Sequence, residues 1–421
     1  MQPDFKTDFA SIAAQIEAID PIAYGQSRNY IDGAVTYLSP YISRGVISTK
    51  QVLESVMRRG YKLYQIEPFV KELCWRDYFQ RVGQEKNLML PIKQTQTPVA
   101  HTQIPLSILQ AKTGIQGIDQ AIKQLYETGY MHNHARMYTA SVVCNIAQSD
   151  WLMPARWMYY HLLDGDWASN ACSWQWVAAA NSGKKYYANQ ENINKYTKTS
   201  QLGTCLDKSY EELAIMEIPS ELKTVAPFAP ETSHQFQNLT HNQTQELTTL
   251  FNQNNQSNQT QHTTPNAAIY IYNYYNLDPH WHKDQPGQRI LLLEPDFFQQ
   301  YPISSKCWNF MLQLGAEIPN LQVFHGSFAS LMQMLEQCLE IPTTNLLQNN
   351  PTENLQIENL ETENSPKSKS LMNRIRYKEH PLNIGYQGVE EPRDWIAPTV
   401  QGYYPSFFAY WKAVKRVLDK N

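Results

Sequence analysis

The sequence predicts a mainly α-helical protein with a small α/β region toward its C-terminal end. Three observations carry this. Apolar residues recur three and four apart through most of residues 1–210, a tract of polar amides breaks the chain, and two apolar runs beyond it bracket a helical pattern.

The helical part is clearest in SRGVISTKQVLESVMRR, FVKELCWRDYFQRVGQ and GIDQAIKQLYETG. Ser48 and Thr49 are N-cap candidates for a helix that begins near Lys50. Residues 91–107 hold Pro91, Pro98 and Pro105 with little periodicity, which predicts a loop. Within 233–264, 21 of 32 residues are Asn, Gln or Thr. Such a tract buries too little apolar surface to offset its ordering entropy, so a flexible linker is expected. AIYIYNYY, RILLLEP and LQVFHG then read as strands and SSKCWNFMLQLGAEI as a helix, a small α/β unit. A second polar stretch follows, and the tail GYYPSFFAYWKAVKRVL carries aromatics at helical spacing that should dock on a folded surface. The expected organisation is a helical domain over 1–215, a linker over 216–265, an α/β region over 266–342, a disordered loop over 343–371 and a docking segment over 372–421.

Composition narrows the classes. Hydrophobic residues make up 42% of the 421, enough for a real core. The N-terminus lacks the basic and apolar regions of a signal peptide, and no apolar run approaches membrane-spanning length. The six cysteines are scattered without a CxxC pair, which fits reduced thiols in a cytoplasmic protein. The net charge is −4, yet residues 1–210 alone carry 21 Lys and Arg against 17 Asp and Glu. A mildly basic half is compatible with a phosphate-bearing partner.

Four clusters carry chemistry. In YGQSRNYIDGAVTYLSPYISRGVIS, residues 24–48, the hydroxyls of Thr36 and Ser39 precede Pro40 and a helix, an arrangement suited to capping or to an anion. In ELCWRDYF, residues 72–79, helical spacing puts Glu72, Trp75, Arg76 and Phe79 on one side. These can meet a base, a sugar and a phosphate, or form a half-buried helix with an internal ion pair. In residues 113–141, Asn133, Arg136 and Met137 share a face, while His132 and His134 fall on different faces and make no metal pair. In residues 150–180, Asp164 and Asp166 flank a glycine and precede Asn170, Trp174 and Trp176. Two such carboxylates suit acid–base work, a ribose, a flavin edge or an arginine; no hydrolase context surrounds them. The sequence has no GxGxxG, P-loop or GxSxG motif.

Taken in order, LSPYISRGVIS, ELCWRDYF, TGIQGIDQAIKQL, GYMHNHARMYTAS and LLDGDWASNACSWQWVAA resemble the FAD-binding domain of photolyases and cryptochromes, over about residues 20–200. The resemblance implies a helical photolyase-type fold and FAD as cofactor. It places Tyr24, Thr36, Ser39 and Arg76 along the FAD phosphates and ribose, and pairs Arg136 with Asp164 beside the isoalloxazine. It sets Asp166 at the pyrimidine edge and Asn170 near N5. Trp75, Trp176 and Met137 would line the cavity for a flipped pyrimidine dimer, with Glu72 and Asn133 hydrogen-bonding to it and to the adenine side. Trp174 and Trp151 match the inner two members of a tryptophan electron relay. No tryptophan lies between Trp75 and Trp151 to serve as the third, leaving Tyr138, Tyr159 or Tyr160 as substitutes.

The implied function is light-driven repair of cyclobutane pyrimidine dimers by electron transfer from excited reduced FAD, making the chain a deoxyribodipyrimidine photo-lyase acting on UV-damaged DNA, single- or double-stranded. The branch that repairs (6-4) photoproducts carries histidines at the places of Asn133 and Met137, so the cyclobutane lesion is favoured. The alternatives are a cryptochrome-like blue-light receptor signalling through a protein partner, and a flavoprotein without photochemistry. Three features depart from the family. Its usual N-terminal α/β antenna domain has no counterpart before residue 20, so no antenna chromophore is expected. Tyr130 stands where the family has a tryptophan. KKYYANQENINKYT resembles photolyases allied to iron–sulfur cryptochromes, but Cys205 has no close cysteine partner, so neither a cluster nor another metal is expected.

Overall fold

Ser48 begins the first long amphipathic helix: its side chain accepts from Gln51 N–H while Gln51 reaches back to Ser48 N–H, a reciprocal cap. The computed structural model describes residues 3–230, 243–246, 248–249, 267–340 and 366–420. Two compact units emerge. One is helical and draws on Met1–Ser233, Tyr301–Gln313 and Asp394–Asn421; the other is α/β and draws on His234–Gln300 and Leu314–Arg393.

The helical unit runs α1 (Phe9–Glu17), α2 (Pro21–Ser27), α3 (Ser39–Ser43), α4 (Thr49–Arg58), α5 (Leu63–Glu85), β1 (Ile104–Pro105), α6 (Leu106–Leu109), α7 (Gln116–Thr128), α8 (Asn133–Ser141), a π-turn over Val142–Ile146, α9 (Leu152–His161), α10 (Trp167–Val177), α11 (Gln190–Thr197), α12 (Tyr210–Ile215), α13 (Ser220–Lys223) and β2 (Val225–Ala226). The 23-residue α5 is the organising element, packed against α2, α4 and α10. Its Ile66, Phe69, Val70, Leu73 and Cys74 are buried, a stripe at three- and four-residue spacing. Helix α7 stops at Gly129, whose φ of 72° is open to glycine, and a Cβ there would fall 2.6 Å from Leu163 Cγ.

In the α/β unit, β3 (Ala268–Tyr272), β4 (Gly287–Leu293), β5 (Leu321–His325), β6 (Ile375–Lys378) and β7 (Val389–Glu391) form a wholly parallel sheet in the order β5-β4-β3-β6-β7. The order reverses beside β3, as in doubly wound folds. Between β4 and β5 the chain forms α14 (Pro295–Gln300) and α15 (Ser305–Gly315), and, against the expectation of one α/β region over 266–342, α15 as far as Gln313 groups with the helical unit. Helices α16 (Phe328–Glu340) and α17 (Pro366–Met372) follow β5. Ile269, Ile271, Ile290, Leu292, Ile375 and Tyr377 alternate onto one sheet face and pack with Phe328, Leu331, Met332, Leu335 and Leu371. On the other face Trp281 covers Tyr270 and Tyr272.

The protein is therefore mainly helical with a small α/β region. Three expected boundaries shift. The linker was expected from 216, but α13 lies within it and β2 pairs antiparallel with β1, Ile104 opposite Ala226. Of the loop expected over 343–371, residues 366–371 belong to α17, and the rest lies outside the described residues. The first part of the expected docking segment instead supplies β6 and β7; the tail that groups with the helical unit starts at Asp394 and contains α18 (Phe407–Leu418). Strand β6 does alternate, Ile375 and Tyr377 buried between Arg376 and Lys378, but runs of four and three residues are too short to stand out from loop. Among the described residues, no helix is long and apolar enough to cross a membrane.

Candidate active site

A cavity of about 420 Å³ opens in the helical unit, a size suited to a sizeable organic ligand. Its walls come from α2, the loop before α3, α5, α8 and α10. Helix α5 contributes Glu72, Trp75, Arg76 and Phe79, the side that helical spacing selected. Helix α8 adds Asn133, Arg136 and Met137; α10 and the turn before it add Asp164, Asp166, Asn170, Trp174 and Trp176. Tyr24, Thr36 and Ser39 complete one side. Trp151 is absent from the wall and lies buried, 1% exposed, at the start of α9.

The polar residues are tied together. Arg136 Nη2 donates to Asp164 Oδ2 at 3.0 Å, and its Nε donates to the Met131 carbonyl at 2.7 Å. Ser43 donates to the Asp164 carbonyl at 2.9 Å and accepts from Arg76 Nη2. Asp166 caps α10 by accepting from Ser169 N–H at 2.7 Å, and its other oxygen accepts from Gln80 Nε2 at 2.7 Å. Burial alone would raise the Asp164 pKa, but the guanidinium groups of Arg136 and Arg76 outweigh it and hold the carboxyl below its usual range. Glu72 behaves differently: burial raises its pKa although Arg28 Nη2 lies 2.9 Å away. Neither Thr36 nor Ser39 caps α3, so the capping reading of these hydroxyls does not hold; the Ser39 backbone already belongs to that five-residue helix.

The two exposed-to-cavity tryptophans are each backed by another ring. Phe407 of α18 stacks on Trp75 with centroids 3.7 Å apart and planes 10° apart. Tyr186 lies 5.6 Å from Trp176, which is 39% exposed, whereas Trp174 is 2% exposed. Arg28, Gln80, Ser43 and Phe407 were not singled out from sequence. Arg28 stands four residues after Tyr24 and Gln80 four after Arg76, a helical signal that was there to use; Phe407 has no local signal. Tyr138, Tyr159 and Tyr160 are all buried, so none offers an electron relay a solvent-exposed end. Among the described residues, no three His, Cys, Asp or Glu side chains gather as a metal site would require.

Two buried polar atoms on this wall, Asp164 Oδ1 and Ser169 Oγ, have no hydrogen-bond partner. With the guanidinium groups of Arg28, Arg76 and Arg136, the carboxylates of Glu72, Asp164 and Asp166, and hydroxyls around one cavity, the donor set fits a large ligand that combines phosphates with a polar ring system. This defines a helical cofactor-binding domain. Residues 69–217 match the family model for the FAD binding domain of DNA photolyase, and the chain carries an FAD-binding domain of the photolyase/cryptochrome superfamily.

Among its relatives is a deoxyribodipyrimidine photo-lyase of Alkalihalophilus pseudofirmus, 32% identical over 149 residues, covering 34% of this chain and 31% of the relative. A chloroplastic/mitochondrial cryptochrome DASH of Ostreococcus tauri is 32% identical over 210 residues, covering 47% and 37%. The crystal structure of a Synechocystis cryptochrome is 22% identical, with a TM-score of 0.40 over 46% of this chain and 44% of that one. The alignments thus span less than half the length of each.

Proposed function

We propose that this protein repairs cyclobutane pyrimidine dimers in DNA under light, with reduced FAD in the cavity of the helical unit. The observation that carries the reading is convergence. Glu72, Trp75, Asn133, Met137 and Trp176 share one cavity with Arg76, Arg136, Asp164, Asp166 and Asn170, although they come from three helices far apart in sequence.

Bound reduced FAD would supply, on absorbing light, the electron that opens the cyclobutane ring and would take it back afterwards. The residues of this chain bind and orient. Arg76, with Tyr24, Thr36 and Ser39, offers charge and donors to phosphates and ribose. Arg136, fixed by Asp164, faces the ring system, and Asp166 and Asn170 supply polar groups at its edge. Trp75, Trp176 and Met137 give a flipped dimer apolar walls, while Glu72 and Asn133 offer it hydrogen bonds. Trp174 on the wall and Trp151, sealed from solvent, are assigned to electron supply. The pair Asn133 and Met137, where the (6-4) branch carries histidines, supports the cyclobutane lesion.

The test is repair. Protein purified with its flavin, reduced and illuminated with near-UV or blue light, should clear dimers from an oligonucleotide, and Glu72→Ala should lower the rate with flavin content unchanged. No clearance from single- or double-stranded DNA by flavin-loaded wild type removes the reading. The similarity to a cryptochrome DASH favours a second one, a blue-light sensor acting through a protein partner. Flavin photoreduction without repair would support it.

A further inference from the structure

The two sides of α18 do different things. Phe407, Tyr410, Trp411 and Val414 are buried, and Phe407 stacks on the cavity residue Trp75. The opposite side presents Phe408, Lys412 and Arg416, all exposed and four residues apart. This spacing places them in one row, with a rise of about 6 Å between neighbours. Phe408 is 71% exposed, with its ring 5.8 Å from that of Phe407. The ring meets Phe407 edge-to-face and leaves most of its surface in water. Lys415 is engaged by Glu67 at 2.6 Å, whereas Lys412 and Arg416 have no ion-pair partner among the described residues.

We propose that this face of α18 binds the nucleic-acid strand flanking the cavity, with Phe408 stacking on an unpaired nucleobase and Lys412 and Arg416 contacting successive phosphates. The inference rests on the reading under Proposed function and extends it to a surface outside the cavity. A π-face beside cations in line is the arrangement that holds single strands without reading sequence. Continuity is provided by Phe407: its stack with Trp75 puts the start of the row next to the cavity wall. A base still paired within a duplex has no free face for Phe408, so the row favours single-stranded or locally opened DNA.

The test uses the full chain with its flavin and a labelled, lesion-free oligothymidine, read by fluorescence anisotropy across a salt series. Phe408→Ala should weaken single-strand binding about tenfold, and weaken binding to a duplex of the same length less. Lys412→Ala and Arg416→Ala should each lower the slope of log affinity against log salt by about 0.7. All three side chains are exposed, so flavin absorbance and melting temperature should match wild type. If wild type repairs dimers but the three variants bind single strands with its affinity and slope, the inference falls alone, and the face is left to a protein partner. If wild type neither binds the oligonucleotide nor repairs, the inference and the functional reading fall together.

Discussion

Arg136 Nη2 meets Asp164 Oδ2 at 3.0 Å, while the backbone carbonyl of the same aspartate accepts from Ser43, which in turn accepts from Arg76. One residue therefore fixes α8, α3 and, through Ser43, α5 around the cavity. Asp164→Ala should leave the part-buried Arg136 guanidinium without its carboxylate, at a cost of about 1–3 kcal/mol. Urea denaturation of the flavin-free protein measures this, and the purified variant should hold less flavin. Replacing Arg136 by Met in the same background should recover part of the loss.

The glycine between the two cavity aspartates has a steric reason. A Cβ at Gly165 would lie 2.9 Å from the carbonyl oxygens of both Leu162 and Tyr159. These are backbone atoms that cannot swing aside, so Gly165→Ala should cost about 1–3 kcal/mol. It should also displace the flanking carboxylates, read as weaker flavin retention at a temperature where the variant is still folded.

Burial pushes His132 and His161 from an ordinary 6.5 down to about 4. Both are neutral in the fold, and the unfolded chain takes up their protons first as pH falls. Their contribution is intact above pH 6.5 and is lost progressively as pH drops to about 4. The melting temperature should fall over that window. His132 Nδ1 also caps α8 by accepting from His134 N–H, so His132→Asn preserves an acceptor. Combined with His161→Phe, it should flatten the pH dependence.

Phe407 is buried against Trp75, Tyr78 and Phe408. Phe407→Ala should destabilise the helical unit by about 3–5 kcal/mol, and Phe407→Leu by less. Freed from its stack, Trp75 should show red-shifted or quenched emission at temperatures below the transition. An unchanged emission spectrum for Phe407→Leu would mean that the indole is held by its own helix.

Much of this architecture is written locally. The helical face carrying Glu72, Trp75, Arg76 and Phe79 follows from spacing alone, and so does the Ser48 cap. The meeting of Arg136 with Asp164 does not: it came from family resemblance, because periodicity says nothing about which helices face each other. The stack of Phe407 on Trp75 joins residues from opposite ends of the chain, and the tail showed only that it had an apolar face. Strands β6 and β7 stayed hidden because runs of four and three residues are too short to separate from loop. Tyr138, Tyr159 and Tyr160 looked like outlets for an electron because burial of a tyrosine cannot be read from its neighbours in sequence.

The helical unit borrows its last piece, Asp394–Asn421, from the far end of the chain. On a ribosome adding about 5–20 residues per second, α5 emerges on the order of half a minute before α18. Throughout that interval the nascent unit presents Trp75 and Tyr78 without the rings that finally cover them. Completion of this wall thus waits until α18 has been made, and a cell that makes the protein must shelter an unfinished aromatic surface until then.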